Sequence, residues 1–254
     1  MIFSFEDAIE LLLVIFFFAS VGSFLNVLAY RLVHDKSFFA VRSSCPDCQT
    51  IIPWYYNIPL ISFFWLRGQS SCCQKKISWL YPLIELLSTL VFTLHFFCIT
   101  FYSSYTSMIY YLPLSCLLVA IRTDLEEMVI LTPLSLWIAP LGLIAAFLGW
   151  LPITVYESLL GAIGGYTLLY IINCIAIKIR GEPGIGEGDM DLIALIGAFW
   201  GIQFLPYILW GASIIGLGMS LFFIKKNQDL LVIRVPFGPS LAISIFLIHL
   251  YSFM

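Results

Sequence analysis

Apolar runs of about 17 to 25 residues recur from end to end of the chain, each long enough to cross a hydrocarbon core about 30 Å thick as a helix. The pattern predicts helices at 9–32, 82–101, 108–122, 128–149, 155–178, 189–203, 205–224 and 236–253. The expected fold is an all-α polytopic membrane protein of about eight transmembrane helices. One large polar segment, 34–80, follows the first helix as an insertion in a single integral membrane domain, 1–254. Two runs, 108–122 and 189–203, are short for a full crossing; a kinked or re-entrant path absorbs such a shortfall.

Composition agrees with the pattern. Of 254 residues, 61% are hydrophobic and 11% charged, and the mean hydropathy of +1.00 excludes a soluble globular chain. A formal charge of −3 leaves no basic field to hold nucleic acid. The first ten residues carry Glu6, Asp7 and Glu10 but no Lys or Arg, so the first helix is expected to stay as an anchor and not to be cleaved as a signal peptide.

The basic residues orient the helices. Arg31, Lys36, Arg42, Arg67, Lys75 and Lys76 bracket the polar segment; Arg122 stands alone; Lys178 and Arg180 precede a glycine-rich stretch; Lys225, Lys226 and Arg234 flank a short loop. Connections near 102–107, 149–156 and 203–206 carry none. Placing every basic connection in the cytoplasm makes 34–80 a cytoplasmic loop and puts both termini outside.

Two sets of residues bear chemistry. Cys45-Pro-Asp-Cys48 can present two thiolates to one tetrahedral Zn²⁺, and a second pair would close the site. That second pair is irregular: Cys72 and Cys73 are adjacent, so their side chains are expected to diverge, and Ser70 stands three before Cys73. Two readings fit, a zinc-stapled hairpin of Cys45, Cys48, Cys72 and Cys73, or reduced thiols in a loop held by other contacts. Cys98, Cys116 and Cys174 sit singly in apolar runs, as ordinary core residues do.

The second set is acidic. Asp124, in Ile121-Arg-Thr-Asp-Leu-Glu-Glu-Met128, and Asp189, closing Gly186-Glu-Gly-Asp189, fall at the same cytoplasmic depth although 65 residues apart. Two carboxylates within hydrogen-bond reach share a proton; one then serves as general base on water and the other as general acid toward a carbonyl oxygen. The structural alternative is also open: Thr123-Asp-Leu-Glu126 has the spacing of a capping box for the following helix, and Asp189 that of an N-cap. Glu126, Glu127 and Glu187 read as solvated rim charges. Glu85, inside the second apolar run, needs polar partners or a wet cavity. His95 and His249 read as core or interface residues.

Together these segments resemble the type IV prepilin peptidase family, aspartic membrane proteases named for a Gly-x-Gly-Asp motif. Gly22-Ser-Phe-Leu-Asn-Val-Leu-Ala-Tyr-Arg31 resembles its first-helix signature, and Cys45-Pro-Asp-Cys48 with Trp54-Tyr-Tyr-Asn-Ile-Pro-Leu-Ile-Ser62 its cytoplasmic loop. Ile77-Ser-Trp-Leu-Tyr-Pro-Leu-Ile-Glu85 is similar to the re-entry into the second helix, Gly186–Phe199 to the second-aspartate segment, and Pro236-Phe-Gly-Pro239 to the start of the last helix. The resemblance implies that Asp124 and Asp189 are the catalytic pair. It implies leader cleavage from type IV prepilins and type II secretion pseudopilins on the cytoplasmic face of a bacterial inner membrane, then N-methylation with S-adenosylmethionine as donor.

Two departures from the family pattern stand out: Ser70 in place of a zinc-binding cysteine, and Asp191 where a basic residue is frequent. An acid so close to Asp189 is expected to raise the apparent pKa values of the coupled pair. Cleavage without methylation stays open, since no glycine-rich nucleotide fingerprint appears. A rival of another class, a small cation-coupled transporter, would need acids near the bilayer midplane.

Overall fold

The computed structural model describes residues 5–36, 42–102, 105–223 and 236–252. Among these the chain is helical, without strands: α1 (Phe5–Val33), α2 (Ile61–Trp65), α3 (Leu80–Tyr102), α4 (Tyr111–Glu127), α5 (Thr132–Phe147), α6 (Val155–Arg180), α7 (Glu187–Trp200), α8 (Leu205–Phe223) and α9 (Gly238–Tyr251). Each of the eight predicted runs overlaps one helix, and α2 is the addition. Five stretches are long and apolar enough to cross a membrane: Asp7–Val33, Leu80–Thr100, Ser107–Glu127, Val155–Arg180 and Ile202–Leu221. α5, α7 and α9, of 16, 14 and 14 residues, are shorter. Lys225, Lys226 and Arg234 lie outside the described residues.

The chain divides into two compact units, Met1–Phe97 and Cys98–Met254, with the boundary inside α3. In the first, α1 and α3 form an antiparallel pair whose register is fixed by polar side chains. Asn26 Nδ2 donates to the Tyr81 carbonyl at 3.0 Å, and Ser88 Oγ to that of Phe18 at 3.1 Å. Phe18 packs edge-on against Phe92 one turn deeper.

Between them lies a segment built from two copies of one turn. Cys45 N donates to Thr50 O and Gln49 N to Cys45 O, each at 2.9 Å; 25 residues on, Ser70 N donates to Lys75 O at 2.8 Å and Gln74 N to Ser70 O at 3.0 Å. Gln49 (φ 58°) and Gln74 (φ 60°) take the same left-handed backbone, and the bridges Ser44–Ile51 and Gln69–Lys76 flank the two turns. Ser70 therefore stands where the first turn has Cys45, and Cys73 where it has Cys48. A 2.5 Å ion pair from Lys75 to Asp47 ties the copies together.

The second unit is organised around α7, in which ten of fourteen residues are buried. α6 starts at a full capping box, Thr154 with Glu157, and approaches α7 at glycines. A Cβ on Gly161 or on Gly197 would collide with the other's carbonyl, so only glycine permits this crossing. Ser158 Oγ adds a 2.6 Å bond to the Ala198 carbonyl. At the far end of α7, Trp200, Tyr110 and His249 pack together, and Trp200 Nε1 donates to His249 Nδ1 at 3.2 Å. Both His95 and His249 are buried, as expected.

Candidate active site

Asp124 and Asp189 come from helix ends of opposite sense. α4 stops at Met128, whose left-handed backbone (φ 53°) lets its N–H close on the Asp124 carbonyl at 3.1 Å. Asp124 thus occupies the last turn of α4, not the cap of the next helix, and Thr123 is a helix residue bonded back to Ala120. The capping-box reading fails here. A buried carboxylate at the carbonyl end of a helix is opposed by the macrodipole and needs a donor. That donor comes from α9: Gly238 N–H, at the first turn, reaches Asp124 Oδ2 at 2.8 Å. A Cβ at 238 would lie 2.9 Å from the same oxygen, so glycine is required at this close approach.

Asp189 is the third residue of α7, and Gly186 is its N-cap. It is therefore not the N-cap; its carboxylate instead reaches back to accept from the Gly186 N–H, half of a capping box. Its Oδ1 is buried and has no partner among the described residues. The preceding loop is held by Asn173 of α6, whose Oδ1 accepts from Gly184 N at 2.9 Å and Ile185 N at 3.1 Å.

Ile130 joins the two acids. A Cβ on Gly188 would stand 2.6 Å from Ile130 Cβ, and one on Gly238 would stand 3.2 Å from Ile130 Cδ1, so α7 and α9 both close on this side chain. The carboxylates are near enough for the charge of Asp124 to act on Asp189. Asp191, about 200° farther round α7, is buried and bonded to Thr132, and is not a second acid acting on Asp189. Arg122, the last residue of the predicted 108–122 run, is wholly buried in α4 and ion-paired with Glu126, which is exposed at the helix end as Glu127 and Glu187 are. The sequence offered no sign of Ile130 or Asn173. Gly238 lay in a recognised motif, but its role as donor needed the helix end to be located.

The four loop cysteines converge in the first unit. Their sulfurs all lie within 4.8 Å of one another, with Cys45 to Cys73 at 3.7 Å and Cys48 to Cys72 at 3.0 Å. A tetrahedral site with Zn–S near 2.3 Å places sulfurs about 3.8 Å apart, so the set fits the ion. Cys72 does not diverge from Cys73: the turn closed by Gln74 brings both sulfurs inward, and Ser70 Oγ lies 3.0 Å from Cys72 and 3.6 Å from Cys45. Burial of Cys45 favours its neutral thiol, but the N–H groups of Cys48 and Asp47 and the Ser70 hydroxyl outweigh it and bring it down to about 6. Cys72 is pushed up to about 11, chiefly by sharing a hydrogen bond with Cys48. Of the lone cysteines, Cys116 is a core residue beside Ser135, whereas Cys174 faces outward from α6.

Glu85 has the polar partners its position demands: its carboxylate accepts from Leu60 N at 2.8 Å and from the Ser23 hydroxyl.

Residues 16–101 match the model of the bacterial peptidase A24 N-terminal domain, and 109–221 that of the type IV leader peptidase family. The chain is 32% identical over 259 residues to a prepilin leader peptidase/N-methyltransferase of Aeromonas hydrophila, covering 91% of this chain and 87% of that one. Relatives of the same name in Neisseria gonorrhoeae and Pseudomonas aeruginosa are 32% and 30% identical, each over 88% of this chain and 84% of their own length. No solved structure matches.

Proposed function

Since the chain belongs to the type IV leader peptidase family, we propose that it is an aspartic endopeptidase that removes the leader of type IV prepilins and type II secretion pseudopilins. The carrying observation is the meeting of Asp124 and Asp189 at two helix ends, each holding one backbone N–H and one of them keeping a buried free oxygen. Such a pair holds one proton between two carboxylates. The ionised partner takes a proton from water as it attacks the scissile carbonyl, and the protonated partner donates to the carbonyl oxygen. Both acids lie within a turn of a helix end and not at mid-helix, which favours this reading over a cation-coupled transporter.

The basic connections support a multi-pass chain of about eight crossings in a bacterial inner membrane, forming one integral domain with 34–80 inserted on the cytoplasmic side. A leader in the cytosol and a stem in the bilayer then bring the scissile bond to the helix ends where the acids sit. Methylation of the new N-terminus is read from the relatives' names. Among the described residues there is no strand on which a strand–turn–helix nucleotide cradle could form, so no residue is assigned to S-adenosylmethionine and no step is derived through it. Zinc would be held by Cys45, Cys48, Cys72 and Cys73 as thiolates, and would supply a structural cross-link of the two turns.

The test is cleavage of a type IV prepilin by membranes holding this chain, Asp124→Asn or Asp189→Asn, with the mass of the product N-terminus. Leader loss with the unaltered chain alone supports the peptidase, and a methyl increment dependent on S-adenosylmethionine supports the transferase. Cleavage by both variants would refute the catalytic assignment.

A further inference from the structure

The loop of the first unit carries several large aromatic side chains on its surface. Trp54 is 80% exposed, Trp65 79% and Trp79 69%, with Tyr55 and Phe64 exposed beside them. Tryptophan and tyrosine are the side chains that concentrate where hydrocarbon meets headgroups.

Hydrogen bonds within the unit set the level of this surface. Asn26 stands opposite Tyr81, at the start of α3. α1 runs seven residues beyond Asn26 to Val33, about 10 Å at 1.5 Å per residue, and carries Tyr30 and Arg31 past that level. The start of α3, where an apolar stretch long enough to cross a membrane begins, therefore lies about 10 Å short of the end of α1. Leu60 N–H is fastened to Glu85, five residues into α3 and about 7 Å deeper still.

The fastening holds an unfavourable backbone. Leu60 sits at φ 60°, ψ −52°, and Ile61 N closes on Pro59 O at 2.6 Å, a γ-turn of the hand that L-residues rarely adopt. Segment 54–65 is thus pinned at the depth where the apolar part of α3 begins, and Trp79 leads directly into that helix. Arg31, Arg67 and Lys76 supply the charge that an anionic leaflet attracts.

We propose that Trp54, Tyr55, Phe64, Trp65 and Trp79 form an interfacial anchor, resting in the headgroup layer of the leaflet where α3 begins, with Glu85 as its tether. The occupant of this surface is lipid; an apolar protein segment is the competing occupant.

p-Benzoylphenylalanine placed singly at positions 54, 65, 79 or 71 of the full chain, irradiated in membranes and read by mass spectrometry, separates the two. Phospholipid adducts at 54, 65 and 79, and none at 71 on the cysteine turn, are expected. Adducts to a second copy or to added prepilin at 54 and 65, or a result there equal to that at 71, would overturn the anchor. Glu85→Ala should lose lipid adducts at 54 and 65 while keeping those at 79, and Glu85→Gln, which retains an acceptor oxygen, should preserve all three. Unchanged adducts in Glu85→Ala would overturn the tether. The readout needs no substrate, so it fails or succeeds separately from the peptidase assignment.

Discussion

Between residues 42 and 79 only Cys45, Ser62 and Phe63 are buried, whereas ten of the fourteen residues of α7 are. The first segment has almost no core and is held by point contacts: a thiol cluster, one ion pair and the Glu85 fastening. The acid pair rests instead on packing, with α7 pressed against α6 at glycines and Ile130 wedged between α7 and α9. Short segments without a core need a staple, while a buried carboxylate needs its surroundings held to within tenths of an ångström. The chemistry proposed for the acids accordingly falls in the packed unit.

Removal of the acids should have the largest effect. Asp124→Asn or Asp189→Asn should lower leader cleavage by about 10²–10⁴-fold or more, the scale of general acid–base catalysis, with helical content by circular dichroism unchanged. Packing around them comes next. Gly188→Ala drives a Cβ into Ile130, and Gly238→Ala drives one onto Asp124 Oδ2, so either should slow turnover by about 10²-fold through misplacement near 1 Å. Gly186→Ala, whose Cβ would meet Asp189 Oδ2 at 3.2 Å, should cost less.

The cysteine segment should respond differently. With zinc held by the four cysteines as proposed, its chelation, or Cys45→Ser, should open 42–79 to limited proteolysis while α4 to α9 stay protected, and the loss of cleavage should be smaller than in either aspartate variant. The smallest effect is expected from Ser70→Ala, which removes a hydroxyl facing Cys45 and Cys72: metal affinity falls by about tenfold in a zinc-competition titration, with proteolytic protection restored at high zinc.

The helices were legible in the sequence because a membrane crossing writes itself as length and hydropathy. Their ends were not. Thr123-Asp-Leu-Glu126 has the spacing of a helix start, yet the same residues close α4, because Met128 accepts a left-handed backbone that no propensity foretells. The adjacency of Cys72 and Cys73 suggested divergence, but the second turn repeats the first, and Cys72 supplies the sulfur that Ser70 lacks. Arg122 closes the apolar run at 108–122, and its pairing with Glu126 becomes visible only because α4 continues for another turn. In the first two cases local conformation overrides a motif.

The proposed chemistry requires Asp124 and Asp189 to act as one unit. Single-turnover cleavage of a prepilin by the unaltered chain, each Asp→Asn variant and the double variant measures this. The prediction is that the double variant is no slower than the worse single variant, as for residues sharing one step. Losses that multiply in the double variant, or cleavage that survives both single substitutions, would contradict it.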